Sequence, residues 1–248
     1  MIKTISSKKN PYIQSLIALQ NTAKSKETGL FLVDGWHLVD MGRNAGILEA
    51  LILLKPNENY DEVDQYIVNK EIIDKLKSVA TNPGVIGVLK RAPRSLVGGT
   101  HLLLLDHIQD PGNLGNLLRS ALAFNYDGVL VTPGCADIFH PKVLAATQGA
   151  FFFLPVQEIT LSGIEDLQRE GYQLIVSTLQ KATPLANVDI PDLLILVIGN
   201  EGHGVDEEII SRADQLVKIP ISGLDSLNAA SAGAILLYHF RPNNDTQI

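Results

Sequence analysis

The chain has 248 residues, of which 46% are hydrophobic, so it is long enough for one large domain or for a small domain and a medium one. No run of 18 consecutive apolar residues is present, and the opening MIKTISSKKN lacks the apolar stretch of a secretory signal, so neither feature is expected. The single cysteine, Cys135, excludes an internal disulfide and suits a reducing, cytoplasmic environment.

The net charge of −7 is divided unevenly along the chain. Residues 1–98 carry 13 basic against 10 acidic side chains, whereas residues 99–248 carry 7 against 17. Five lysines and no acid lie within residues 1–26. This asymmetry is typical of a basic module that grips a polyanion, joined to an acidic module with another task. A solvated, lysine-rich first helix explains the same residues equally well.

The first part of the chain predicts a small αβ domain that ends near the Pro- and Gly-containing stretch RAPRSLVGG. Apolar residues at helical spacing predict a first helix over 8–20, and Gly29 ends that segment. The remaining predicted elements are strands in LFLVDG, ILEALILL and 85–90, and helices over 36–45 and 70–79.

The second part of the chain alternates regularly between strands and helices. Strands are predicted over 102–106, 128–132, 152–156, 173–177, 193–198 and 216–219. Helices are predicted over 113–124, 141–148, 163–170, 206–212 and 228–240. This alternation implies an α/β fold with a mainly parallel, doubly wound sheet, which binds ligands at the carboxyl edge of its strands.

Three polar loops follow predicted strands or precede a helix. In DPGNLGNLLR the turn residues lead into a helix, where Asn113 and Arg119 are either phosphate-binding residues or a cap and a surface arginine. In GNEGHG, Glu201 either caps the next helix or orients an arginine or a substrate. Ser226 and Asn228 stand before the last helix, as caps or as site residues.

Several ligand classes are poorly supported. GNEGHG lacks the Gly-Lys-Ser/Thr of a P-loop and has the wrong glycine spacing for GxGxxG, which argues against ATP, GTP and NAD. The six histidines show no HxxxH spacing and there are no cysteine pairs, so no metal site is expected. His140, His203 and Cys135 are interpreted as structural or loop residues.

Together, DPGNLGNLLRSALAFNYDGVLV, LVIGNEGHGV and IPISGLDSLNAASAGAILLY resemble the SpoU-type (TrmH-like) RNA 2′-O-ribose methyltransferases of the SPOUT class. The resemblance covers residues 99–240. Residues 1–95, with KNPYIQSLIALQ and GLFLVDGWHLV, are similar to that family's L30e-like substrate-binding domain. We therefore predict an L30e-like RNA-binding domain over 1–95 and a methyltransferase domain over 99–248.

The resemblance implies a trefoil knot in the carboxyl-terminal α/β domain, an S-adenosylmethionine site in the knot loops, and a homodimer whose second subunit completes the site. The catalytic residues that it implies are Asn113, Arg119, Glu201, Ser226 and Asn228. The cofactor-binding residues that it implies are Thr178, Leu179, Gly199, Gly202, Ile219 and Leu227. Two departures stand out: a loop before Ser226 that is one residue shorter, and Ala145 and Thr147 where arginine and serine are common.

The function implied is methylation of a ribose 2′-hydroxyl in RNA, in the cytoplasm, without metal or membrane. Ribosomal RNA is favoured over transfer RNA because tRNA-directed members often carry short terminal extensions instead of an extra domain. The alternatives are a tRNA methyltransferase, a catalytically inert RNA-binding relative and a nucleotide-dependent enzyme on a doubly wound sheet.

The chemistry favours a positioning role for Arg119. A guanidinium group, with a pKa above ~12, is a reluctant base. Arg119 is therefore expected to hold the adjacent phosphate bidentately and to stabilise the developing alkoxide, while the proton leaves through the phosphate or water. In this hypothesis Glu201 orients Arg119, and Ser226 and Asn228 align the hydroxyl with the cofactor.

Overall fold

The structure is a computed structural model that describes residues 1–81, 83–92, 94–223 and 226–242. The described chain separates into two compact units. The first comprises residues 1–92 and 137–152, and the second comprises the other described residues. The sequence places 137–152 in the carboxyl-terminal domain, but its apolar side chains lie in the core of the first unit, among them Phe139, Leu144 and Phe152.

Helices and strands follow one another along both units. The strands are β1 (Ile2–Ile5), β2 (Leu30–Asp34), β3 (Leu48–Leu53), β4 (Asp64–Val68), β5 (Val85–Lys90), β6 (His101–Leu105), β7 (Gly128–Val131), β8 (Val156–Glu158), β9 (Gln173–Ser177), β10 (Thr183–Pro184), β11 (Leu194–Ile198) and β12 (Gln215–Lys218). The helices are α1 (Pro11–Ala18), α2 (Thr22–Thr28), α3 (Trp36–Asn44), α4 (Lys70–Leu76), α5 (Pro111–Ala123), α6 (Pro141–Thr147), α7 (Leu161–Arg169), α8 (Glu207–Ile210) and α9 (Ala229–His239).

Strands of the first unit form a mixed sheet in the order β1-β4-β3-β5-β2. The neighbours β1, β4 and β3 are parallel, whereas β5 runs antiparallel to both β3 and β2. The sequence did not predict β1 because its residues are mostly exposed, so it lacks the apolar alternation of a half-buried strand. One apolar core contains side chains of α1 and α4, and a second contains those of α3 and α6.

The helix predicted over 8–20 corresponds to α1, and a second helix that the sequence did not predict, α2, follows it. α1 ends at Ala18, and Asn21 caps α2 by accepting hydrogen bonds from the backbone of Ala23 and Lys24. Gly29, which was predicted to end the first segment, ends α2 in the left-handed conformation. Asn21 favours the start of a new helix because its side chain satisfies backbone N–H groups that lack a partner at a helix amino terminus.

The described strands of the second unit form a parallel sheet in the order β10-β12-β9-β11-β6-β7-β8. β6 and β11 are buried throughout, which explains their uninterrupted apolar sequences. The strand predicted over 152–156 is wrong. Residues 150–152 form a 3-10 turn, and β8 begins only after Pro155, which has no N–H for the ladder.

The last helix packs closely on α5. A Cβ at Gly233 in α9 would overlap the buried side chain of Leu117 in α5, so any larger residue would force that side chain to move. In the sheet, β11 lies between β9 and β6, so the chain returns to the middle of the sheet after β9. This order is compatible with the predicted knot, which stays a prediction. Every helix in the described ranges is too short or too polar to cross a membrane.

Candidate active site

A cavity of about 370 Å³ opens within the second unit beside the carboxyl ends of β9, β11 and β12. Its volume lies within the range of about 300–1,000 Å³ that is typical of small-molecule sites. The six residues expected to bind the cofactor all lie in its lining: Thr178, Leu179, Gly199, Gly202, Ile219 and Leu227. Glu201 and Ser226 line it as well.

The loop after β11 is a tight turn that forms one wall of the cavity. Asn200 and Gly204 exchange backbone hydrogen bonds of 3.0 and 2.9 Å. A Cβ at Gly199 would overlap the backbone of Gly204, so the chain folds back this closely only with glycine at that position. Gly199 therefore serves the loop's own geometry.

Asn200 organises this loop, a role that the sequence analysis missed. Its Oδ1 accepts hydrogen bonds from the backbone N–H groups of Gly202 at 2.7 Å and His203 at 3.3 Å. Its Nδ2 donates to the carbonyl of His107 at 3.0 Å. An asparagine that directly follows a glycine at the end of a buried strand is a signal for such a side-chain turn.

Asn113 is part of a hydrogen-bonded site and is not the cap of α5. Asp110 caps that helix by accepting from the Asn113 backbone at 2.8 Å. The Asn113 side-chain amide is thereby free to donate to Glu201 Oε1 and to accept from Asn228 Nδ2 at 3.0 Å. The structure thus joins one residue from each of the three polar loops.

Glu201 and Asn228 are held by different means. Glu201 does not cap α8, because Asp206 does so through the backbone of Glu208 at 2.7 Å. Asn228 caps α9 with its Oδ1, which accepts from the backbone of Ala230 at 3.0 Å and of Ser231 at 3.2 Å. That cap fixes the Asn228 amide and directs its Nδ2 toward Asn113.

Arg119 does not join this group within one chain. It is exposed on α5 and has neither a hydrogen bond nor an ion pair with any residue that the structure describes. Helix geometry places it about 9 Å along the axis from Asn113 and about 240° around it. The expected contact between Glu201 and Arg119 is therefore absent inside the single chain, where Glu201 contacts Asn113 instead.

Cys135 and the histidines show no catalytic arrangement. The Cys135 thiol donates to the carbonyl of Leu105 and accepts from the backbone of Ile108, both at 3.3 Å. Burial raises the pKa of this thiol, which disfavours the thiolate needed by a nucleophile. Within the described ranges no group of three His, Cys, Asp or Glu side chains is placed to hold a metal ion.

The fold and the site define a parallel α/β protein with a small-molecule cavity and a polar cluster at the carboxyl edge of its sheet. The chain belongs to the SpoU rRNA Methylase family, whose model matches residues 100–238. This result confirms the family that the three motif segments predicted.

The chain is similar over nearly its whole length to named relatives. It is 31% identical over 247 residues to the 23S rRNA (guanosine(2553)-2′-O)-methyltransferase RlmP of Bacillus subtilis. That alignment covers 97% of this chain and 100% of RlmP. An AdoMet-bound rRNA methyltransferase from Sinorhizobium meliloti aligns with a TM-score of 0.88 at 26% identity, over 96% of this chain and 97% of that one. The SpoU methyltransferase AviRb from Streptomyces viridochromogenes, in complex with AdoMet, gives 0.84 at 25% identity, over 94% and 97%.

These likenesses confirm the predicted α/β fold class with a mainly parallel sheet. The L30e-like identity of the first unit stays a prediction. Of the two departures from the family pattern, the shortened loop includes Leu224 and Asp225, which lie outside the described residues. Thr147 is buried, and its hydroxyl donates to the carbonyl of Leu144 at 2.9 Å.

Proposed function

We propose that this protein transfers a methyl group from S-adenosylmethionine to a ribose 2′-hydroxyl of RNA, and that ribosomal RNA is its substrate. The observation that carries the proposal is the junction of a small-molecule cavity with the hydrogen-bonded side chains of Asn113, Glu201 and Asn228. Both features lie at the carboxyl edge of a parallel sheet, where this class of fold binds ligands.

The lining of the cavity fits S-adenosylmethionine. Apolar side chains, including Ile198, Ile219 and Leu227, suit the faces of an adenine ring. The backbone of the loops at Thr178 and Gly199, also in the lining, can approach a ligand closely and supply the polar contacts. When bound, the cofactor supplies an electrophilic methyl group on a sulfonium sulfur.

The chain's own residues act by positioning. A methyl transfer needs the accepting oxygen held in line, and positioning alone can lower such a barrier by several kcal/mol, on the order of 7 or more. The Asn113 amide is hydrogen-bonded both to Glu201 and to the Asn228 amide, so these groups are organised before the RNA binds. Arg119 binds the phosphate next to the target ribose and stabilises the negative charge that develops on the ribose 2′-oxygen.

The exposed position of Arg119 supports a homodimer in which each copy completes its partner's site. α9 also exposes apolar side chains on its outer face: Ile235 is 43% and Tyr238 is 56% exposed. The Tyr238 ring contacts Phe124, the residue after α5, at 5.6 Å between centroids. A second copy seated on α5 and α9 would cover this surface and bring its own Arg119 toward Glu201.

The first unit is proposed to hold the RNA. RlmP, whose alignment includes this part of the chain, is named as acting on 23S rRNA, which supports ribosomal RNA over tRNA. Deletion of residues 1–95 is a poor test of this role, because it would uncover Phe139, Leu144 and Phe152. Substitution of single lysines leaves that core intact.

The deciding experiment measures transfer of labelled methyl groups from S-adenosylmethionine to ribosomal RNA and to tRNA, followed by mapping of 2′-O-methyl positions. We expect transfer to ribosomal RNA. Binding of S-adenosylhomocysteine without transfer to any RNA would indicate an inert RNA-binding relative. Thermal stabilisation by NAD or ATP, with none by S-adenosylhomocysteine, would favour a nucleotide-dependent enzyme.

A further inference from the structure

Asp106, the residue directly after β6, is buried in the second unit with only 1% of its surface exposed. Neither Lys nor Arg forms an ion pair with it among the described residues. Its Oδ1 lies 2.8 Å from Nδ1 of His107, within hydrogen-bond distance. A carboxyl group buried this deeply costs stability unless hydrogen bonds compensate for the lost water.

The two carboxyl oxygens of Asp106 reach three different parts of the sheet edge. Oδ1 accepts from the hydroxyl of Thr132, which follows β7, at 2.7 Å, in addition to its contact with His107. Oδ2 accepts from the backbone N–H of Asp206, at the end of the glycine-rich loop, at 2.8 Å. One side chain therefore connects the loops that follow β6, β7 and β11.

A second contact closes the same connection. The Asn200 side chain donates to the carbonyl of His107, so the glycine-rich loop is tied to the β6 loop near both its start and its end. Glu201 lies between those two points. The β6 loop, in turn, leads through Asp110 into α5, which carries Asn113.

We propose that Asp106 is a positioning residue for the methyl-transfer reaction, because its carboxyl group clamps the loop that carries Glu201 onto the loop that leads to Asn113. This inference rests on the proposed function. Asp106 lines a neighbouring groove, which shares Asn200, His203 and Gly204 with the cofactor cavity, but Asp106 itself is absent from the lining of that cavity. Its effect on the reaction passes through the position of Glu201.

The test compares Asp106→Asn with Asp127→Asn in the full-length protein. Asparagine has one acceptor oxygen, so it cannot accept on both sides as Asp106 does. Asp127, whose side chain is exposed, is the control: its Oδ2 accepts from the backbones of Thr100 at 2.7 Å and His101 at 3.0 Å, at the opposite edge of the same sheet. Both variants lose a carboxylate that binds backbone, but only one loses the clamp.

The first readout is amide hydrogen exchange, which needs no methylation. Asp106→Asn should speed exchange of the amides at Gly202, Gly204 and Asp206, and Asp127→Asn should leave them unchanged. Unchanged protection in both variants would overturn the clamp while leaving the proposed function intact. Absence of methyl transfer by the parent protein would overturn the proposed function while leaving the exchange result to stand.

The second readout separates kcat from KM at a temperature where both variants are folded. Because hydrogen bonds to a carboxylate are among the strong ones, Asp106→Asn should lower kcat about tenfold or more. KM for S-adenosylmethionine should rise by less, since the cavity walls from β9 and β12 are untouched. Asp127→Asn should retain the parent kcat. Equal kcat in the two variants would contradict the proposal.

A conservative pair at Thr132 separates the hydroxyl from packing. Thr132→Val keeps the shape and removes the hydroxyl, which donates to Asp106 and accepts from the backbone of His107 at 3.1 Å, whereas Thr132→Ser keeps the hydroxyl and removes a methyl group. We expect the serine variant to retain most of the kcat that the valine variant loses. The reverse order would show that packing at this site matters and that the hydrogen bond does not.

Discussion

Two aspartate side chains with little exposed surface, Asp137 in the first unit at 8% and Asp106 in the second at 1%, are stabilised in different ways. In the first unit Asp137 accepts two hydrogen bonds from Arg91, at 3.1 and 3.0 Å, and lies 3.3 Å from Lys26. The Arg91 guanidinium also stacks 4.1 Å from the centroid of Phe139. In the second unit Asp106 has a hydroxyl, a backbone N–H and a histidine as partners.

The difference separates a structural role from a functional one. Asp137 neutralises cations where residues 137–152 join the first unit, so its role is to fasten that segment. Asp106 lies at the ligand-binding edge of a sheet and holds loops whose side chains must keep their positions. Asp137 is therefore assigned a structural role because its partners are Arg91 and Lys26, and Asp106 a positioning role because its partners lie in the loops of the site.

The largest expected effect is a loss of stability when the Asp137 carboxylate is removed. Asp137→Ala leaves the Arg91 guanidinium, only 14% exposed, without its carboxylate, and should lower the free energy of unfolding by about 3–5 kcal/mol. Urea denaturation measures it. Lys26→Met, which removes the 64% exposed partner, is the control and should cost less than about 1 kcal/mol. Equal losses would show that Arg91 is not the main partner.

The next effect concerns the exposed carboxylate of the site. Glu201→Gln keeps an oxygen for the Asn113 amide but removes the charge, and should lower kcat on the order of tenfold to a hundredfold with little change in stability. Methyl transfer to RNA at saturating cofactor measures it. Glu207→Gln, an exposed acid in α8, is the control and should keep the parent rate. A large loss of stability in Glu201→Gln would instead assign it a structural role.

The sequence predicted those features of the fold and the site that depend on neighbouring residues, and it did not predict contacts between distant ones. β6 and β11 were predicted because continuous apolar runs mark strands buried on both faces. The polar loops were recognised because they directly follow these runs. The exposed β1 gave no such signal. The contacts of Asn113 with Glu201 and Asn228 span 88 and 115 residues, so no periodicity could have paired them. Asp106 was overlooked because a lone aspartate after a strand resembles an ordinary turn residue.

A smaller effect is expected at Arg119, where the shape of the cation matters. Arg119→Lys keeps the charge but loses the planar fork that grips a phosphate through two hydrogen bonds, so kcat should fall about tenfold. Arg241→Lys is the control, because Arg241 donates to the carbonyl of Tyr238 in its own chain. Parent-level methylation by Arg119→Lys would exclude bidentate binding. Mixing Arg119→Lys with Glu201→Gln chains should restore part of the activity if each site uses both copies.

The smallest effect is expected on RNA binding by the lysines of the first unit. Lysines that already form ion pairs should contribute less to this binding than an unpaired lysine. Lys24 lies 2.7 Å from Glu27 and Lys8 lies 3.0 Å from Glu71, so their fields are partly neutralised. Lys9 is exposed and forms no ion pair with any described residue. Lys9→Met should therefore reduce the salt dependence of RNA binding by about one phosphate contact, and Lys24→Met should reduce it less. The measurement is the dissociation constant for ribosomal RNA at several salt concentrations; equal slopes for the parent and Lys9→Met would mean that RNA binds elsewhere.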